Sequence, residues 1–444
     1  MPSTRSPNAV QCPALFIAAP HSGCGKTTIT AAIARAYRQQ GKVVRVFKTG
    51  PDYLDPQILR QASGEPVEQL DMWMAGEEYC QQMLFKAAQE ADLILIEGVM
   101  GLFDGTPSSA DLAERFAIPL ALVMDVKGMA QTAGAMAVGL ANYRPALQFA
   151  GLIANGCASE RHRELIEEAL PENFPILATL AQDEQIALPE RHLGLVQAGE
   201  ITAELESRIN AGAALLKGQP ILELPEAVDF YPTESLSTSA ALSEKPLKGK
   251  TIAVAKDAAF SFIYDSNLRL LQQLGADYSF FSPLKDSELP EADALWLPGG
   301  YPELHAETLS GNTRLISQIR HFHQSGKPIL AECGGFLYCL DTLTELKENT
   351  YPMLGLVAGD GSMRGKRGCQ GMQTAPLPEG DIRGHAHHKS LSQNTPKPIA
   401  HGRRQRHPAP GEPIYRDKGL TATYLHLFFG SNPDAVATLF SQHT

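Results

Sequence analysis

Short apolar runs, each followed by a helical pattern, constrain this chain more than any other feature. In the N-terminal half they are Ala14-Leu-Phe-Ile-Ala-Ala19, Val43-Val-Arg-Val-Phe47, Leu93-Ile-Leu-Ile96, Leu120-Ala-Leu-Val-Met124 and Phe149-Ala-Gly-Leu-Ile-Ala154. Runs with almost no polar alternate belong to strands buried on both faces, which means a parallel sheet covered by helices on each side. A doubly wound α/β domain over residues 1–223 follows. Residues 224–250, rich in Pro, Ser and Lys, read as a linker. The alternation restarts at Thr251-Ile-Ala-Val-Ala255, with a helix near Ser266–Leu274 and strands at Ala294-Leu-Trp-Leu297 and Pro328-Ile-Leu-Ala331. A second α/β domain therefore covers 251–444. The Pro-rich, basic stretch 391–418 reads as a mobile surface loop.

A chain of 444 residues is too long for one ordinary core. Its net charge of −11 argues against a general nucleic-acid surface. No apolar run approaches the roughly 18–20 residues that span a bilayer. Residues Met1 to Pro13 lack the layout of a signal peptide. Seven scattered cysteines without CxxC pairs fit a reducing compartment. The expectation is a cytoplasmic enzyme that takes neither nucleic acid nor membrane as partner. Oligomeric state is left open by the sequence, with a homodimer carried as one expectation.

The first chemical motif is Pro20-His-Ser-Gly-Cys-Gly-Lys-Thr-Thr28, between the first strand and a helix running from Thr27 to Gln40. Such a turn aims backbone N–H groups at phosphate oxygens and adds the field of the helix terminus. Ser22, Gly23, Gly25, Lys26, Thr27 and Thr28 are the candidate nucleotide contacts. Lys26 is placed to reach the β- and γ-phosphates, and the Thr27 hydroxyl to ligate Mg²⁺. Pro20 stands where the strict pattern has Gly. Two acidic loops should converge on this turn, because ligands in open α/β sheets bind at the carboxyl ends of strands. They are Lys48-Thr-Gly-Pro-Asp-Tyr-Leu-Asp55 and Glu97-Gly-Val-Met-Gly-Leu-Phe-Asp-Gly105. Glu97 is the first choice of second metal ligand and Asp52 the next, while Lys48 is either a further charge at the transferred phosphoryl group or a surface lysine.

The second motif is Ala331-Glu-Cys-Gly-Gly335, again between a strand and a helical pattern. A sharp strand-to-helix turn exposes a nucleophile at a helix N-terminus, where a thiol pKa is expected to fall. Backbone N–H groups remain free for an oxyanion: Gly334 on this turn, and Gly299 and Gly300 on the loop after the preceding strand. His426 is the candidate base for Cys333, with His385, His387 and His388 as competitors.

These motifs, in this order, resemble the cobyrinic acid a,c-diamide synthase family, hydrogenobyrinic acid a,c-diamide synthases included. The resemblance also rests on Leu70-Asp-Met-Trp-Met74, Leu188-Pro-Glu-Arg-His-Leu-Gly-Leu195, Ala255-Lys-Asp-Ala-Ala-Phe-Ser-Phe262, Phe281-Ser-Pro-Leu284 and Gly299-Gly-Tyr-Pro-Glu303. It implies an N-terminal domain similar to dethiobiotin synthetase and a C-terminal class I glutamine amidotransferase domain. It further implies ATP and Mg²⁺, glutamine as nitrogen donor, and a polycarboxylate corrinoid amidated on its c and a acetate groups. By the family motif Cys333 is the nucleophile and His426 its base, with Phe428 where many amidotransferases carry a third, acidic member. Relatives usually read Gly-His-Glu-Phe-His-Tyr-Ser where this chain has Gly384-His-Ala-His-His-Lys-Ser390, which places substrate choice in the 364–390 region. Arg364, Lys366, Arg367 and Arg403–Arg406 are basic candidates for a polycarboxylate. The same chemistry on nickel sirohydrochlorin, a cobyric acid synthase-like amidation, and a non-catalytic nucleotide switch are the alternatives.

Overall fold

The computed structural model describes residues 9–188, 190–191, 194–195, 202–233, 242, 244–365, 368 and 370–441. Lys366, Arg367 and part of the Leu188–Leu195 motif lie outside them. The chain forms two units, Met1–Leu236 and Ser237–Thr444.

The first unit is a seven-stranded parallel sheet with one antiparallel addition. Its strands are β1 (Val10–Ala18), β2 (Val44–Thr49), β3 (Glu68–Leu70), β4 (Leu93–Glu97), β5 (Leu120–Asp125), β6 (Phe149–Asn155) and β7 (Ile176–Leu180), in the order β3-β2-β4-β1-β5-β6-β7. The apolar runs follow from burial on both faces. In β1, Leu15 and Ile17 pack under helix α1 (Lys26–Gln39), while Phe16 and Ala18 join a second core on the other face. Helix α2 (Asp55–Ser63) follows β2, and helix α3 (Thr202–Leu215) lies along α1.

The stretch that reads as a linker is structured in part. Ala227–Phe230 forms β8, antiparallel to β1, and Leu247 is fully buried in the core of the second unit.

The second unit holds a ten-stranded mixed sheet. Its parallel part is β9 (Thr251–Ala255), β10 (Asp277–Phe281), β11 (Ala294–Leu297), β12 (Ile329–Glu332) and β17 (Leu420–Thr423). The rest is antiparallel: β13 (Gln370–Leu377), β14 (Gly380–His387), β15 (Ala400–Arg404), β16 (Pro410–Asp417) and β18 (His426–Leu427). Segment 391–418 is therefore not a loop. It supplies β15 and β16, and Arg403 is paired with Asp381 on β14. The motif around Asp257 also proves structural. Its carboxylate accepts from the N–H groups of Ala259 (2.8 Å) and Leu284 (2.9 Å) and from the Ser282 hydroxyl (2.8 Å), tying the loops after β9 and β10 together.

Candidate active sites

In the first unit the turn after β1 takes the shape its glycines permit. Gly23 and Gly25 have φ of +87° and +92°, where side chains are strained. A Cβ on Gly25 would also run into Asn155, whose amide donates to the Cys24 carbonyl at 3.0 Å and supports the turn from β6. Ser22 and Gly23 are exposed, and Thr27 and Thr28 half-buried, on the first turn of α1, whose N–H groups have no helical acceptor. Lys26 is buried and its Nζ donates to the Met100 carbonyl at 2.8 Å and the His21 carbonyl at 3.3 Å. Burial, and then the nearby Lys48, pull its pKa down.

Lys48 and Glu97 are register partners on β2 and β4. Lys48 is no surface lysine: it is 2% exposed and its ammonium bridges Glu97 Oε1 and Asp55 Oδ2, each at 2.6 Å. The Thr27 hydroxyl donates to the same Glu97 oxygen at 2.8 Å. The sequence reading missed Asp55. Its only signal was its place in the loop after β2, shared with Asp52. Burial pushes the Asp55 carboxyl up, but Lys48 outweighs it and the pKa falls; the Glu97 carboxyl, in the same pair, is driven up by burial. Asp52 stands further off, 3.9 Å from Lys48, and its Oδ1 accepts from the N–H groups of Leu54 and Asp55 just ahead of α2. Burial raises it to about 7. Among the described residues no group of three His, Cys, Asp or Glu side chains is arranged around a metal position. Glu97 Oε2, however, is buried with no hydrogen-bond partner among them. Beyond the ends of β5 to β7 lies a cleft of about 480 Å³ that includes Lys127, Gly156, His162 and Gln182.

In the second unit Cys333 sits between β12 and helix α4 (Gly334–Cys339) at φ +46°, ψ −101°. A non-glycine residue there costs on the order of 1–3 kcal/mol and marks a sharp nucleophile turn. The turn is fixed by Cys333 N donating to the Thr423 carbonyl (2.8 Å) and Leu337 N to the Cys333 carbonyl (3.0 Å). Gly334 abuts the other glycine loop, since a Cβ on it would lie 2.9 Å from Gly300 N and from Pro302 Cδ. Gly299 faces His426, whose ring fills the place of any Gly299 side chain. The Phe262 ring packs against both Tyr301 and His426.

The electrostatics differ from the sequence expectation. The thiol of Cys333 is not lowered by its helix. Burial pushes it well up, and Glu303, Glu412 and Glu332 add to the shift. Helix α4 is only six residues long, and burial in this turn outweighs its dipole. Burial, with His385 next, holds His426 well below the usual histidine pKa. Both shifts favour the uncharged forms, a thiol on Cys333 and an unprotonated ring on His426.

The competing histidines fall elsewhere. The His388 ring is hydrogen-bonded to Glu412 (3.0 Å) and stacked on Tyr424. His387 is exposed. His385 is the cross-strand partner of His426, and burial lowers it to about 3. Two of the departures, Ala386 and His387, thus lie on the strand beside His426, and Ala386 is wholly buried in the core. Phe428, at the place of the usual third acid, is also fully buried and packs on Tyr264.

Two family models match the two units. A CobQ/CobB/MinD/ParA nucleotide binding domain covers residues 15–196, and a CobB/CobQ-like glutamine amidotransferase domain covers 251–434. Fold and sites thus define a nucleotide-binding domain joined in one chain to a glutamine amidotransferase domain. A hydrogenobyrinate a,c-diamide synthase of Stutzerimonas stutzeri is 51% identical over 428 residues, 96% of this chain and 98% of its own. Its counterpart in Pseudomonas aeruginosa is 48% identical over 97% of this chain and 98% of its own. A cobyrinate a,c-diamide synthase of Herminiimonas arsenicoxydans is 46% identical over 95% of this chain and 94% of its own. The chain belongs to the cobyrinate and hydrogenobyrinate a,c-diamide synthase family, whose members are glutamine-dependent, amide-forming ligases.

Proposed function

We propose that this enzyme uses ATP, Mg²⁺ and glutamine to convert the a and c acetate groups of a corrinoid polyacid into amides. Hydrogenobyrinic acid is the favoured substrate, because relatives at 51% and 48% identity carry its name. The observation that carries the reading is the left-handed Cys333 turn packed against the Gly299-Gly300 loop and His426.

The neutral His426 ring takes the Cys333 proton as sulfur attacks the carboxamide carbon of glutamine. The N–H groups around Gly299, Gly300 and Gly334 receive the charge that develops on oxygen. The imidazolium returns its proton to the departing nitrogen, ammonia leaves, and water hydrolyses the thioester to glutamate. In the first unit a substrate carboxylate oxygen attacks the γ-phosphorus of ATP and ADP departs. Ammonia then attacks the acyl phosphate and displaces phosphate. Ser22, Gly23, Gly25, Lys26, Thr27 and Thr28 hold the nucleotide phosphates, with Lys48 fixing the acidic pair beside them. Thr27 and Glu97 are the residues that would hold Mg²⁺, since the unsatisfied Oε2 of Glu97 suits a hard cation; Asp52, already engaged by two backbone N–H groups, is the weaker ligand. When bound, the ion supplies charge neutralisation at the transferred phosphoryl group.

The test is glutamate release by the purified enzyme, with ADP release measured beside it. Glutaminase activity that vanishes in Cys333→Ala, together with ADP release that needs hydrogenobyrinic acid, supports the reading. No glutamine hydrolysis by the wild type overturns it.

A further inference from the structure

We propose that Glu303 receives the α-ammonium group of glutamine, so that this carboxylate selects amino-acid amides over simple amides. The inference rests on the reading of the second unit as a glutaminase and adds to it the group that recognises the donor.

The starting point is a contrast among buried acids in this unit. Glu332 accepts hydrogen bonds from the Leu427 N–H and the Trp296 indole at 2.7 and 2.8 Å. Glu412 is paired with His388 at 3.0 Å, and Glu379 with Arg416 at 2.6 Å. Glu303 is as deeply buried, at 7% exposed, yet no Lys, Arg or His among the described residues pairs with it. Its carboxylate is met by no donor but its own backbone N–H, and burial pushes its pKa up to about 7. A carboxyl group buried without a donor from elsewhere costs free energy that packing alone does not return. A cationic ligand removes that cost.

Position identifies the ligand. Glu303 follows Pro302 in the short turn after Gly299-Gly300, and Pro302 lies against Gly334, the residue after the nucleophile. Glu303 thus belongs to the turn that abuts the residue following Cys333. Glutamine carries its cation at the far end of a short chain from the carboxamide, so an anion is needed at just such a remove from the attacking sulfur.

The experiment compares hydrolysis of L-glutamine with that of glutaramic acid, which is glutamine without its amino group. The full chain is used, as wild type, Glu303→Gln and Glu303→Ala. The expected wild-type preference for glutamine in kcat/KM is about 100-fold or more, as for a site built to pair a buried charge. In Glu303→Gln the KM for glutamine should rise by roughly 10- to 100-fold with a smaller change in kcat, and the preference should collapse to about tenfold or less. Alkylation of Cys333 by iodoacetamide reports that the variant site is still formed. A wild type that hydrolyses both amides equally overturns the proposal without any variant. So does an undiminished preference in Glu303→Gln. A wild type inert toward both amides instead removes the glutaminase reading on which the proposal stands.

Discussion

Glu332 Oε1 accepts the backbone N–H of Leu427 at 2.7 Å, which joins the strand that leads into Cys333 to the strand of His426. The second oxygen accepts the Trp296 indole N–H at 2.8 Å, so the carboxyl group is held at both ends. Where a triad holds its histidine by the ring, this chain holds His426 through the backbone of the next residue. Glu332→Ala should leave two buried donors unpaired and lower stability by about 1–3 kcal/mol. Glutaminase kcat should fall by roughly 10- to 100-fold, with a smaller change in KM, because the base drifts from the thiol. Denaturant titration and glutamate release check both effects.

Gly299 allows the His426 ring to lie against the loop. Gly299→Ala places a methyl group on that ring and should reduce glutamine hydrolysis by about 100-fold. Amidation driven by added ammonium salt, which bypasses Cys333, should persist. Parallel assays with the two nitrogen sources measure the difference.

Lys48 compensates two buried acids in the first unit. Lys48→Met leaves Glu97 and Asp55 without a cation and should destabilise the unit by roughly 3–5 kcal/mol. ADP release should be lost with it. Calorimetry and a nucleotide assay test the two together.

A pH effect on stability follows from Arg35 and Glu206, which link α1 to α3. Arg35 is buried and donates to both carboxylate oxygens of Glu206, at 2.5 and 3.0 Å. Hydrogen bonds from Arg35 lower the Glu206 pKa from its ordinary 4.5 to about 2. A depressed carboxyl pKa contributes stability above its ordinary value, and that contribution is lost as pH falls toward 2. Glu206 is 45% exposed on its side chain, so the contribution is modest, about 1 kcal/mol. Unfolding between pH 6 and 2 should show a shallower acid dependence in Glu206→Gln than in the wild type.

The sequence exposed most where burial is two-sided. Strands β1, β4 and β5 carry continuous apolar runs because helices cover both faces, and the glycines of the two turns stand beside them. Strands β15 and β16 stayed hidden because they are half-solvated: Arg403 and Arg416 alternate with buried positions, and proline begins β16. Asp55, Glu332 and Glu303 were legible as acids near motifs but not as partners. Which acid meets Lys48, and which meets only its own backbone, is decided by strand register and turn packing. The thiol pKa failed as an expectation for a similar reason. A motif shows that a helix follows the cysteine, but not how much burial and nearby carboxylate surround it.

The central claim is that one chain transfers nitrogen from glutamine to an ATP-activated carboxylate of a corrinoid. Mass spectrometry of hydrogenobyrinic acid after incubation with ATP, Mg²⁺ and glutamine tests it most directly. Two successive exchanges of OH for NH₂ are expected with the wild type, and the same exchanges with Cys333→Ala only when ammonium salt replaces glutamine. An unchanged macrocycle with the wild type, or full glutamine-dependent exchange with Cys333→Ala, would contradict it.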